Sequence, residues 1–164
     1  MFAADALHDR NMLTAMIALC ATAEAVLPER EAHPLAYGQA CHLLETLGEP
    51  GWAADYVLWE MHLLNDLGFG LDLTSCAATG VTEDLIYVSP KSGRAVSREA
   101  GLPYKGKLLA LPPFLKDDSA PQPGQEDVAA GLDLTGYFLE QFVFTPHQKA
   151  LPDARQRLRA LIES

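Results

Sequence analysis

The chain has 164 residues, a mass of 17.8 kDa and a formal net charge of −10, from 12 Lys and Arg against 22 Asp and Glu. With 49% hydrophobic and 21% charged residues, wholesale disorder is excluded, and one compact domain burying roughly two-thirds of its unfolded surface is expected. A protein this acidic is not drawn as a whole to polyanions, so nucleic-acid contact requires a local basic patch.

Three helices are predicted before residue 68. Leu13, Met16, Ile17, Cys20, Ala23 and Leu27 recur at helical spacing, and Pro28 stops that pattern. Pro34 opens a second helix, with Tyr37, Cys41, Leu44 and Leu47 on one stripe and Gly48 at its end. After the Glu49-Pro50-Gly51 turn, Trp52, Tyr56, Trp59, Leu63 and Leu67 form the apolar face of a third helix that Gly68 ends. Short connections make these helices antiparallel neighbours in a small bundle.

The pattern then changes period. Leu85–Val88 and Ala95-Val96 flank Ser89-Pro90-Lys91-Ser92-Gly93-Arg94, the signature of a β-hairpin with a Pro/Gly turn. The positive charge gathers here: residues 91–116 hold six basic side chains and one acid, whereas residues 1–90 hold two and thirteen. Lys91, Arg94, Arg98, Lys105 and Lys107 are therefore the candidate DNA contacts. The same cations also serve to keep an exposed β edge soluble, so both readings stand. Residues 117–124 read as a flexible polar loop, and helical patterning resumes near Gln125. A last helix after Pro152 places Leu151, Ala154, Leu158 and Leu161 inside and Arg155, Arg157 and Arg159 mostly outside. The fold class is thus mainly α: a small helical bundle (8–67 and 108–164) interrupted by a hairpin insertion (68–107).

Other chemistry is sparse. Three cysteines at wide spacing, Cys20, Cys41 and Cys76, form no disulfide framework, and the first two read as small core residues. The run Met12–Leu27 is too short to span a bilayer and contains Glu24, which predicts a cytoplasmic protein. No phosphate-cradling glycine loop, nucleophile elbow or HExxH motif occurs. His62 and Asp66, one helical turn apart, offer an acid–base pair or half a metal site, or simply a polar helix edge.

From Trp59 to Leu73 the sequence WEMHLLNDLGFGLDL resembles a helix of the bacterial RecO family, aromatic-Glu-x-x-Leu-Leu-x-x-Leu-Gly-aromatic-Gly. Leu27–Leu35 is similar to a junction of that family, Tyr87–Val96 to its hairpin, and Leu134–Glu140 to its last helix. The order and spacing of these pieces, rather than any one, carry the resemblance over residues 10–162.

What the resemblance implies is a non-catalytic recombination mediator in DNA repair, nucleoid-associated. Such a protein anneals single-stranded DNA and loads recombinase, and its partners are RecR and the C-terminal tail of single-strand-binding protein. Family members begin with an OB-fold of roughly eighty residues, and here helices begin near residue 10, so the chain looks like the C-terminal helical part. The family's tail site is edged by arginine, whereas Tyr56-Val57-Leu58 stands at the corresponding place here. The family's zinc knuckles map onto Cys76 and Thr79, then Ser97 and Ala100, with 17 residues between Thr79 and Ser97. One thiolate cannot hold structural zinc, which predicts a degenerate zinc ribbon with no metal and no cofactor. A protein-docking domain without DNA contact is the alternative.

Overall fold

The computed structural model describes residues 6–26, 34–116 and 123–163. Helices α1 (Ala6–Val26), α2 (Pro34–Glu45) and α3 (Trp52–Asp66) come first. A three-stranded antiparallel sheet follows: β1 (Leu85–Val88), β2 (Ala95–Ser97) and β3 (Leu109–Ala110), in the order β2-β1-β3. One helical turn, α4 (Arg98–Gly101), and a 3-10 segment (Leu102–Lys107) join β2 to β3. Helix α5 (Gln125–Phe138) runs into a π-helical turn (Leu139–Phe144), and α6 (Asp153–Glu163) closes the bundle. This is the mainly helical bundle with an inserted hairpin that the sequence predicts; β3 is the strand it does not.

Helix α3 is the centre. Its face of Trp52, Tyr56, Trp59 and Leu63 is buried as expected. The indole N–H groups of Trp52 and Trp59 donate to the carbonyls of Leu43 (2.8 Å) and Ala36 (3.0 Å), so burying both rings leaves no donor unsatisfied and pins α3 to α2. Helix α5 packs against the other side of α3, and α6 lies along α1 and α5.

Helices α1 and α2 are rotated relative to the expected stripes. Leu13, Met16, Ile17 and Cys20 face outward, as do Tyr37, Cys41 and Leu44. Ala15, Ala18, Leu19, Thr22 and Val26 of α1 are buried instead, with Ala36, Ala40 and Leu43 of α2. The physical reason is close packing: alanines at the contact let helix backbones approach, and the large side chains go to the other face. Cys20 and Cys41 are accordingly exposed rather than core. Leu27 and most of the 117–124 loop lie outside the described residues.

A second correction concerns Arg155. Expected mostly outside, it is 2% exposed and carries a two-pronged ion pair to Glu60 on α3. Nε donates to Oε2 at 2.6 Å and Nη2 to Oε1 at 2.8 Å, while Nη2 also reaches the Leu132 carbonyl at 2.9 Å. Thr135 donates to Glu60 Oε1 at 2.6 Å. The Tyr56 hydroxyl sits 3.4 Å from Thr22 on α1, and the Arg155 guanidinium lies 6.0 Å from the Tyr56 ring centroid. Burial, reinforced by the Glu60 charge, pushes the Tyr56 hydroxyl well above its ordinary pKa. Burial opposes the charge on Arg155, but Glu60 outweighs it and holds the guanidinium more firmly protonated than usual. One ionic cluster thus joins α3, α5 and α6 inside the apolar core.

Candidate nucleic-acid interface

The hairpin that carries the basic residues is held by its own backbone. Ser89 N–H donates to the Arg94 carbonyl at 2.9 Å and Gly93 N–H to the Ser89 carbonyl at 2.8 Å. Gly93 sits at φ +69°, a left-handed conformation that strains residues with a Cβ. This closure leaves Lys91 and Ser92 exposed at the tip. The chain after α3 adds a further edge: Asp72 bridges in parallel to Arg94, through Asp72 N–H on the Gly93 carbonyl (3.0 Å) and Ala95 N–H on the Asp72 carbonyl (2.9 Å).

The five candidate cations do not form one uniform patch. Val88, at the tip end of β1, pairs with Leu109, so Lys107 two residues earlier lies toward the same end of the sheet as Lys91 and Arg94. Ser97 pairs with Leu85, so Arg98 sits at the opposite end. Arg98 Nε is 3.1 Å from Asp84 Oδ2, and both side chains are exposed. Arg94 Nε is 3.9 Å from Asp72 Oδ2, a loose pair. The Thr74 hydroxyl and N–H, and then Arg94, hold the exposed Asp72 carboxyl below its ordinary pKa. Among the described residues, no ion pair engages Lys91, Lys105 or Lys107, and all three are exposed.

The positions that resemble the zinc knuckles converge without ligands to match. Cys76 is buried, and its Sγ accepts the Ser97 N–H at 3.3 Å; Ser97 Oγ in turn caps α4 by accepting the Ala100 N–H at 3.2 Å. Burial raises the Cys76 thiol, but hydrogen bonds from the Thr79 hydroxyl and the Ser97, Thr79 and Ala78 N–H groups outweigh it and bring the pKa to about 6. The Cys76 sulfur is thus met by hydrogen-bond donors rather than by further metal-ligating side chains at these positions. His62 and Asp66 are both exposed on α3.

Two features were missed by sequence reasoning. Leu102 and Tyr104 stand 60% and 61% exposed beside Lys105 and Lys107, so apolar and aromatic surface is interleaved with the cations. The Leu102-Pro103-Tyr104-Lys105 run was a readable signal, because a proline-bounded aromatic amid lysines has no helical stripe to join. The other is a cleft between the hairpin tip, the chain after α3 and the π-helical turn. Its walls come from three stretches well separated in sequence, which no local pattern links.

The fold is thus that of a mainly helical bundle whose small antiparallel sheet carries exposed cations at its hairpin tip. Comparison with known proteins narrows this. The profile of the family described as "Recombination protein O C terminal" matches residues 7–151. The DNA repair protein RecO of Caulobacter vibrioides (strain NA1000 / CB15N) is 55% identical over 148 residues, covering 90% of this chain and 60% of the relative. The DNA repair protein RecO of Phenylobacterium zucineum is 55% identical over 150 residues, with 90% and 60% covered. That of Rhodospirillum rubrum is 49% identical over 157 residues, with 92% and 62% covered. No solved structure matches. The chain belongs to the RecO family and corresponds to its C-terminal region. It spans about three-fifths of the length of these relatives.

Proposed function

We propose that this chain is the C-terminal part of a recombination mediator that acts in DNA repair without catalysis, in the cytoplasm at the nucleoid. Lys91, Arg94, Arg98, Lys105 and Lys107 contact phosphates of single-stranded DNA, while the acidic bundle serves protein partners, a RecR-like mediator and the tail of single-strand-binding protein. The observation that carries the reading is the gathering of Lys91, Arg94 and Lys107 toward one end of the sheet in a chain of the RecO family. Cations free of carboxylates are the ones able to release counterions from DNA, so Lys91, Lys105 and Lys107 contribute most. Arg98 contributes least, since Asp84 already neutralises it.

Affinity for single-stranded DNA measured against salt tests this. Each phosphate contact adds about 0.7 to the slope of log affinity on log salt, so Lys91→Gln with Lys107→Gln lowers the slope by about 1.4. An unchanged slope removes these residues from the DNA surface. The exposed apolar stripes of α1 and α2 favour a second reading, a docking domain with no DNA contact. Partner capture that survives the two substitutions, together with no DNA binding, selects it.

A further inference from the structure

The cleft beside Lys91 gathers three stretches that the family resemblance singled out separately. Gly68–Leu71 comes from the end of the α3 stretch, Lys91–Gly93 from the hairpin, and Phe138 from the final stretch, with Phe142 one turn on. Phe69 stacks on Phe142 with centroids 5.8 Å apart and planes at 28°, and Phe142 stacks on Phe138 at 5.7 Å and 13°. Phe138 is buried, Phe142 half-buried and Phe69 40% exposed, so a ladder of near-parallel rings rises from the core and ends in an open edge. The π-helical turn that carries Phe142 is an uncommon geometry that recurs at functional sites. Glycines, Leu71, Lys91 and Ser92 complete the walls.

We propose that this cleft receives one unpaired base of single-stranded DNA, its ring against Phe69 and its phosphate on Lys91. The proposal deepens the DNA reading above and rests on it. The volume, about 220 Å³, is below the roughly 300–1,000 Å³ of pockets that take drug-sized ligands and suits a single planar ring. Stacked aromatic rings select flat partners of any sequence, because every base offers a π-face. A cation on the rim complements the phosphate attached to such a base. Gly68 has open space where a Cβ would stand, and a Cβ at Gly93 would crowd Leu71 and Phe138 inside the cleft.

The test compares a thymidine oligonucleotide with an abasic oligonucleotide of equal length, so that phosphate count is constant and only bases differ. At low salt the chain binds the thymidine strand roughly tenfold more tightly than the abasic one. Phe69→Ala brings the ratio close to one and leaves abasic affinity unchanged, whereas Lys91→Gln weakens both strands alike. Phe69→Trp restores the aromatic face, keeps the ratio, and the emission of the introduced indole is quenched by the thymidine strand. Equal affinity of the unsubstituted chain for both strands overturns the base site while the phosphate reading stands. Binding of neither strand overturns both. Unquenched emission in the Phe69→Trp variant with the thymidine strand bound, or Phe69-dependent binding of an acidic peptide in place of either strand, overturns the assignment of the cleft to DNA.

Discussion

Replacing Arg155 by methionine keeps most of the aliphatic volume and deletes the charge. Glu60, fully buried, then loses the bonds at 2.6 and 2.8 Å and keeps only the Thr135 hydroxyl. Removing one partner of a buried ion pair costs about 3–5 kcal/mol, because the remaining charge is left without water or counter-charge. Against a typical domain stability of about 5–15 kcal/mol this is a large fraction. At roughly 2–4 °C per kcal/mol for a chain of this size, the melting temperature falls by roughly 6–20 °C. Urea titration of Arg155→Met, Glu60→Leu and the double variant closes a thermodynamic cycle. The double variant recovers about 2 kcal/mol or more relative to the sum of the singles, since two apolar side chains need no partner in the core. An Arg155→Met cost below about 1 kcal/mol, or additive singles, refutes the reasoning.

The outward stripe of α1 and the knuckle cysteine carry two further expectations. Ile17→Lys on α1 changes stability in urea unfolding by no more than about 0.5 kcal/mol; a core-sized loss of stability contradicts the outward orientation. Cys76, near 6 in the fold and about 8.5 when unfolded, binds fewer protons in the native state between those values. Its stabilising contribution is full above the unfolded value and is lost as pH falls through 6. Cys76→Ser flattens that limb of the urea midpoint against pH, and an identical curve in the variant rules the thiolate out.

Helix α3 was legible because its two tryptophans and one tyrosine share one face, and no other arrangement hides so much ring surface. The hairpin was legible from Pro90 and Gly93 between β-branched runs. Helix α1 was not, because both its faces are apolar: size favoured Leu13, Met16 and Ile17, whereas the neighbouring helix selected Ala15, Ala18 and Leu19. Glu60 and Arg155 lie 95 residues apart, so nothing in either neighbourhood announced their pairing. The cations were legible as a group, but their division between the ends of the sheet depends on strand register, which charge counts do not contain.

The pairing of Arg155 with Glu60 also imposes an order on biosynthesis. Helix α3 leaves the ribosome with its glutamate already placed among tryptophans and leucines, and its counter-charge is encoded in the last helix. At about 5–20 residues per second, the 95 residues between them take on the order of ten seconds to translate. Through that interval α1 also lacks α6, its packing partner. A chain that stops short of α6 therefore lacks both the counter-charge of Glu60 and the helix that packs along α1, leaving apolar surface open to aggregation.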